Sequence, residues 1–228
     1  NQMTSKEFHT LRFEGNSFFI NQKTPFSPIG KISSKGTNRA KIFANKMTFQ
    51  KEGEHREHRT GGTISRPMET IYRDTFQGKL AEVAFYEYLQ LNKIESNTPD
   101  FRTYKKGKWD SFDFIAGNKK LNVKSTKHFG NLLLLESGDW NDDAEYVPNL
   151  GTKDCIYDFF ILIRINSDNL TYDIPGFIER KEFREIIINR QIVKKSSLLN
   201  GKMPLDAENY YIQSGDLTEI ELLKEKLD

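Results

Sequence analysis

Residues 113–126 read DFIAGNKKLNVKST, and apolar and polar residues alternate over 120–124 after Gly117-Asn118 and over 111–114 before it. Glycine and asparagine are the residue types that best tolerate the positive φ angles of a two-residue hairpin turn. With that turn, Ala116 pairs with Lys119, Asp113 with Asn122 and Ser111 with Lys124. Side chains alternate across a sheet, so Asp113, Asn122 and Lys124 share one face, while Phe112, Phe114, Leu121 and Val123 share the other. Directly opposed Cβ atoms lie about 5 Å apart, close enough for two side chains to share one cation. A slip of one residue would bury the aspartate and the lysine, which specifies the register.

Outward from the hairpin, Pro67 is placed to open a helix running to about Lys93. Its second half, GKLAEVAFYEYLQL (78–91), is apolar on most sides and reads as buried. Glu82 sits on that apolar face, three and seven residues before Phe85 and Leu89. A buried carboxylate needs a partner, a metal or a raised pKa; the ordinary partner would be Lys79 or Arg73. Three short strands are expected at 101–104, 109–116 and 119–126, and the apolar run 132–135 is ambiguous between strand and helix. Residues 157–165 form the strongest strand, a continuous apolar run of the kind buried inside a sheet. A strand near 171–178, a helix near 181–189, a polar-aromatic segment at 207–217 and a short C-terminal helix follow. The order specifies an α/β (α+β) mixed sheet with a helix packed on it.

Residues 1–65 read as an N-terminal arm or subdomain with a short amphipathic helix at 38–50, and 66–228 as a single compact core with a C-terminal extension. Met3 is expected as the natural start, with no signal peptide ahead of it. Seventeen phenylalanines and 12% aromatic residues exclude a disordered chain, and a net charge of +2 announces no overall basic bias. The single cysteine, Cys155, excludes an internal disulfide framework and fits a reducing cytoplasm. The apolar runs at 132–135 and 159–163 are too short to span a bilayer, so no membrane partner is expected.

A helix Glu, an Asp on one strand and an N-x-K on the paired strand together resemble the PD-(D/E)XK nuclease pattern. LNVKST (121–126) is similar to that family's second half-motif with its trailing Ser/Thr. Pro99-Asp100 offers a literal Pro-Asp, but hairpin pairing favours Asp113 as the aspartate opposite the N-x-K. The resemblance covers roughly 67–166, and the layout is most similar to type II restriction endonucleases. It implies a restriction-endonuclease-like core of helix, three-strand meander and further strand. It also implies a Mg²⁺-dependent endonuclease of a restriction system, cutting a specific double-stranded DNA sequence as a homodimer. By that resemblance Asp113 and the residue at 122 ligate Mg²⁺, Glu82 holds its water network or a second ion, and Lys124 positions or activates the attacking water. Structure-selective repair or junction cleavage, a silent DNA-binding relative and a protein-interaction domain are the other classes considered.

Asn122 departs from the pattern, which places Asp or Glu there. Its carbonyl oxygen can ligate a hard cation, but without a charge. Three explanations compete: native use of Asn with Asp110, Glu136 or Asp139 supplying the carboxylate, an inactivating acid-to-amide change, or a non-catalytic relative. For DNA contacts the candidates are Arg56 and Arg59 in the 53–66 loop, the run Lys105, Lys106 and Lys108, and Lys127 with His128. His55 and His58 form an H-x-x-H without further ligands, so a phosphate-touching loop outweighs zinc. Trp140, Tyr146, Tyr210 and Tyr211 read as core or interface residues rather than base stackers.

Overall fold

The hairpin forms in the expected register. The structure, a computed structural model, describes residues 6–49, 67–101 and 111–228, the side chains of residues 111–113 excepted. In chain order the strands and helices are β1 (Arg12–Glu14), β2 (Ser17–Phe19), β3 (Gly30–Lys31), α1 (Ser34–Thr48), α2 (Met68–Leu91), β4 (Ser111–Ala116), β5 (Lys119–Lys127) and β6 (Leu132–Glu136). They continue with β7 (Phe159–Asn166), β8 (Thr171–Glu179), α3 (Arg180–Ile188), β9 (Ile192–Val193), β10 (Leu198–Leu199), β11 (Met203–Pro204), β12 (Asn209–Gln213) and α4 (Leu223–Leu227). This is a mixed α/β fold.

β4 and β5 pair antiparallel with Asp113 opposite Asn122 and Ser111 opposite Lys124. Gly117 and Asn118 carry φ of 57° and 64°, the backbone a two-residue turn of this hand requires. A Cβ at Gly117 would also lie 2.2 Å from the Leu227 carbonyl oxygen, so only glycine fits there. β5 then pairs parallel with β7, and β7 antiparallel with β8, giving a five-stranded sheet in the order β3-β8-β7-β5-β4. Of the three strands expected over 101–126, two are present as β4 and β5. Phe101 is irregular, and residues 102–110 lie outside the described residues.

Both faces of that sheet are covered, which is why β7 is apolar at nearly every position. On one face, Leu80, Ala84 and Phe85 of α2 pack against Phe114, Leu121, Val123, Ile161 and Ile163. On the other, Phe160, Leu162 and Ile178 meet Trp140, the α3 residues Phe183 and Ile187, and Leu133, Leu135, Tyr210 and Ile212. Those last four belong to a second sheet, ordered β6-β12-β9. The ambiguous run at 132–135 is therefore a strand, decided by pairing with β12, a segment distant in sequence. Trp140, Tyr210 and Tyr211 are buried, as expected for core residues.

The N-terminal stretch contributes to this framework. β1 and β2 pair with each other, and β2 lies parallel to β10 in a small sheet with β11; β3 extends the main sheet beside β8. α1 begins at Ser34, four residues earlier than the amphipathic pattern indicated. The Ser33 side chain caps it by accepting from the Gly36 N–H.

A charged pair sits between β7 and β8. Arg164 of β7 is 1% exposed and donates to both carboxylate oxygens of Asp173 on β8, at 2.8 and 2.6 Å. It also donates to the carbonyls of Thr24, Pro25 and Gly130 and to Asn131 Oδ1. Breaking such a pair strands a buried charge, whereas replacing both partners by apolar residues removes the liability. Asp173→Leu should therefore lose roughly 3–5 kcal/mol in urea unfolding. The double change Arg164→Met/Asp173→Leu should lose clearly less than the sum of the two single changes.

Candidate functional site

The face of β5 turned away from α2 carries Lys120, Asn122, Lys124 and Thr126, because Leu121 and Val123 point into the α2 layer. Across the hairpin the backbone places position 113 opposite Asn122 on that same face. On the other side, Asn122 and Lys124 stand beside Phe160 and Leu162 of β7. The apolar cluster on this side of the sheet draws on β6, β7, β8, α3 and β12, and takes no described residue from β4 or β5. The polar face of the hairpin thus begins where the second sheet ends, at its edge strand β6.

Asn122 is 2% exposed, and its Oδ1 has no hydrogen-bond partner among the described residues. A buried acceptor left unmatched costs free energy that a donor or a hard cation would return. This is the position where a PD-(D/E)XK pattern would need a metal ligand, and an orphaned oxygen there fits one. Among the described residues no cluster of three or more His, Cys, Asp and Glu side chains is placed to hold an ion. The Asp113 side chain lies outside the described residues, so the fit rests on the backbone register and on Asn122.

Lys120 shares the face but is committed elsewhere. Its ammonium donates to the Asp154 carbonyl at 2.8 Å and lies 4.3 Å from the Tyr157 ring centroid. Its backbone N–H donates to Asp158 Oδ2, and the Asp158 N–H donates back to the Lys120 carbonyl. These bonds moor the start of β5 at the entry to β7, and fix the height of Asn122 and Lys124 on the sheet.

Glu82 is buried in α2 and both its oxygens are engaged. Oε2 accepts from Lys79 at 2.7 Å, one of the two partners the sequence offered, and Oε1 accepts from the Asp100 N–H at 2.9 Å. Lys79 also donates to the Asp100 carbonyl and lies 4.2 Å from the Phe43 ring. Just upstream, Asn97 Oδ1 accepts from Ile115 N–H on the outer edge of β4. Glu82 therefore fastens residues 97–101 to α2, and that segment in turn caps β4. The arrangement gives Glu82 a positioning role toward the hairpin.

Of the three acids considered as replacements for a carboxylate at 122, Asp110 lies outside the described residues. Glu136 pairs opposite Asn209 and alternates with Leu133 and Leu135, which face the main sheet, so it lies on the other side of β6. Asp139 is half-buried in the turn after β6. Arg56, Arg59, Lys105, Lys106, Lys108, His55 and His58 lie outside the described residues, while Lys127 is exposed and His128 half-buried at the far end of β5. The residues that sequence reasoning passed over are Asp158, Asn97 and the Arg164–Asp173 pair. An arginine inside FFILIRIN was itself a signal, since a charge in a buried strand requires a partner.

Comparison with models of protein families, with curated proteins and with solved structures finds no match for this chain. No helix among the described residues is long and apolar enough to cross a membrane.

Two outcomes follow from these contacts. Asn122→Leu, which removes the orphaned oxygen while keeping the same branched skeleton, should stabilise the metal-free protein by about 1 kcal/mol or leave it unchanged in thermal unfolding. Glu82→Leu should destabilise it by roughly 3 kcal/mol, because it removes a buried carboxylate that accepts from both Lys79 and the Asp100 N–H.

Proposed function

We propose that this chain is a Mg²⁺-dependent DNA endonuclease of the PD-(D/E)XK type, most similar in layout to type II restriction enzymes. It would cut both strands of a duplex site as a homodimer, for which two-fold symmetry is the economical arrangement. One observation carries the reading. The hairpin register sets position 113 opposite a buried Asn122 whose Oδ1 lacks a partner among the described residues, with Lys124 next along the same face.

Asp113 and Asn122 would hold the ion. When bound, it supplies charge neutralisation at the scissile phosphate and Lewis-acid activation of the nucleophile. Lys124 contributes a compact positive charge that orients the phosphate and offsets the charge developing on it. Leu162 beside Lys124 and Phe160 beside Asn122 border the site with apolar surface, which strengthens each electrostatic contact. Glu82 acts at one remove, by fixing the segment that caps β4. Base contacts would come from the 137–153 loop and from residues 53–66, which lie outside the described residues; the 207–217 segment, also expected to contribute, is buried as β12 in the middle of the second sheet and does not reach a groove.

The amide at 122 also supports a second reading, a catalytically silent DNA-binding relative. Plasmid cleavage separates the two. The chain should nick or cut duplex DNA with Mg²⁺ and stop in EDTA, and Lys124→Ala should lower the rate roughly 10²–10³-fold. Asn122→Asp should raise the Mg²⁺-dependent rate and let Mg²⁺ raise the melting temperature, since a carboxylate binds a hard cation more tightly than an amide. Cleavage by neither protein, or cleavage that survives EDTA, overturns the catalytic reading. Salt-sensitive binding without cutting in both would establish the silent one.

A further inference from the structure

At the far end of β5 the chain turns through Lys127, His128, Phe129 and Gly130, closed by the Gly130 N–H donating to the Lys127 carbonyl at 2.8 Å. Phe129 occupies the tip and is 64% exposed, a large apolar side chain turned to solvent. It is one member of an aromatic row. The His128 ring packs edge-on against Phe129 at 5.2 Å and against Phe26 at 5.6 Å, and the Lys127 ammonium lies 5.9 Å from the Phe129 ring.

An exposed ring on a loose loop would carry little meaning, but this row is held from beneath. Arg164 donates to the carbonyls of Thr24 and Pro25, ahead of Phe26, and to the Gly130 carbonyl and Asn131 Oδ1, behind Phe129. Its guanidinium lies 5.8 Å from the Phe26 ring, and Asp173 fixes it in turn. A fully buried, six-bonded arginine thus seats both loops that present the rings. The His128 N–H further ties the turn to the Ile165 carbonyl of β7, at 3.0 Å. The row is preorganised, so ordering it on binding costs little.

Its spacing along the chain from Lys124 is the second point. From Lys124 to Lys127 the strand advances three residues, about 10 Å at ~3.3 Å per residue. Phe129 stands in the turn that follows, within about 7 Å of Lys127. At ~3.4 Å per nucleotide along a strand, that reach corresponds to about three to five steps from a phosphate held at Lys124. An exposed ring bracketed by a lysine and an imidazole, with no base-specific donor set of its own, suits the π-face of a nucleobase beside a phosphate.

We propose that Phe129 is a wedge, seated by Arg164, that inserts at a base step of duplex DNA, partially unstacking it, and stacks on the base so exposed, a few nucleotides from the phosphate at the hairpin face. This rests on the nucleic-acid part of the function proposed above and requires no hydrolysis, so its test is run in EDTA. Phe129→Trp gives a reporter whose emission is quenched when a base stacks on it. At low salt, titration with a 30-base-pair duplex should quench the added tryptophan emission relative to the unsubstituted chain. Heparin, which supplies polyanion without bases, should leave it unchanged. Phe129→Ala should weaken duplex binding roughly ten-fold with unchanged circular dichroism, and Lys127→Ala should lower the salt dependence of binding by about one phosphate contact. Emission unaltered by duplex, or altered equally by heparin, overturns the proposal. Failure of DNA cleavage leaves this result standing, because no cutting enters it.

Discussion

A slip of one residue in β5 would turn Asn122 and Lys124 into the apolar layer beneath α2 and expel Leu121 and Val123 from it. The sheet is built on the alternation of this one strand. β5 is held on both edges by different rules: antiparallel pairing with β4 through a turn that only Gly117 can begin, and parallel pairing with β7. The two pairings agree on one register. Because Phe160 and Leu162 must meet the second sheet while Ile161 and Ile163 meet α2, β7 cannot slip either. Position on the polar face is thus a consequence of packing on two apolar ones.

Two buried ion pairs sit at opposite ends of this arrangement and do similar work. Near the hairpin, Glu82 and Lys79 hold Asp100 and, through Asn97, the free edge of β4. Toward the far end, Arg164 and Asp173 gather two loops that have no secondary structure of their own. Buried pairs are seldom the most stabilising solution. Their value is directional: a guanidinium with fixed donors selects one loop geometry where apolar packing would accept several. Functional residues carried on loops need that kind of support, and the loops bearing Phe26 and Phe129 receive it.

The parts of the fold legible in sequence were those whose specification is local. The hairpin announced itself through alternation around Gly117-Asn118, and β7 through an unbroken apolar run longer than any surface strand would tolerate. The run at 132–135 was not legible, since four leucines carry no period, and only pairing with β12 decides them. β1, β2 and β10 were invisible for the same reason: each is two or three residues long and exists by virtue of partners distant in sequence. The start of α1 was missed because its signal is a capping serine, Ser33, outside the amphipathic stretch. At the candidate site, the shared face of Asp113, Asn122 and Lys124 followed from period-two geometry alone. The engagement of Glu82 needed the fold, because Asp100 approaches it only through the path of the chain after α2.

Asn122 is the point at which stability and the proposed chemistry part company. Asn122 is 2% exposed and its Oδ1 has no donor among the described residues, an unmatched acceptor worth about 1–3 kcal/mol. A leucine or valine would satisfy the same strand, the same alternation and the same contact with Phe160. Core logic therefore does not account for an amide there. Lys124 beside it compounds the conflict, since a lysine two residues on keeps that face polar where β7 alongside is apolar. Local rules broken in a framework that otherwise obeys them mark a site organised around something other than packing. On the proposed reading, a hard cation shared between positions 113 and 122, with a lysine beside the phosphate, would resolve both violations at once.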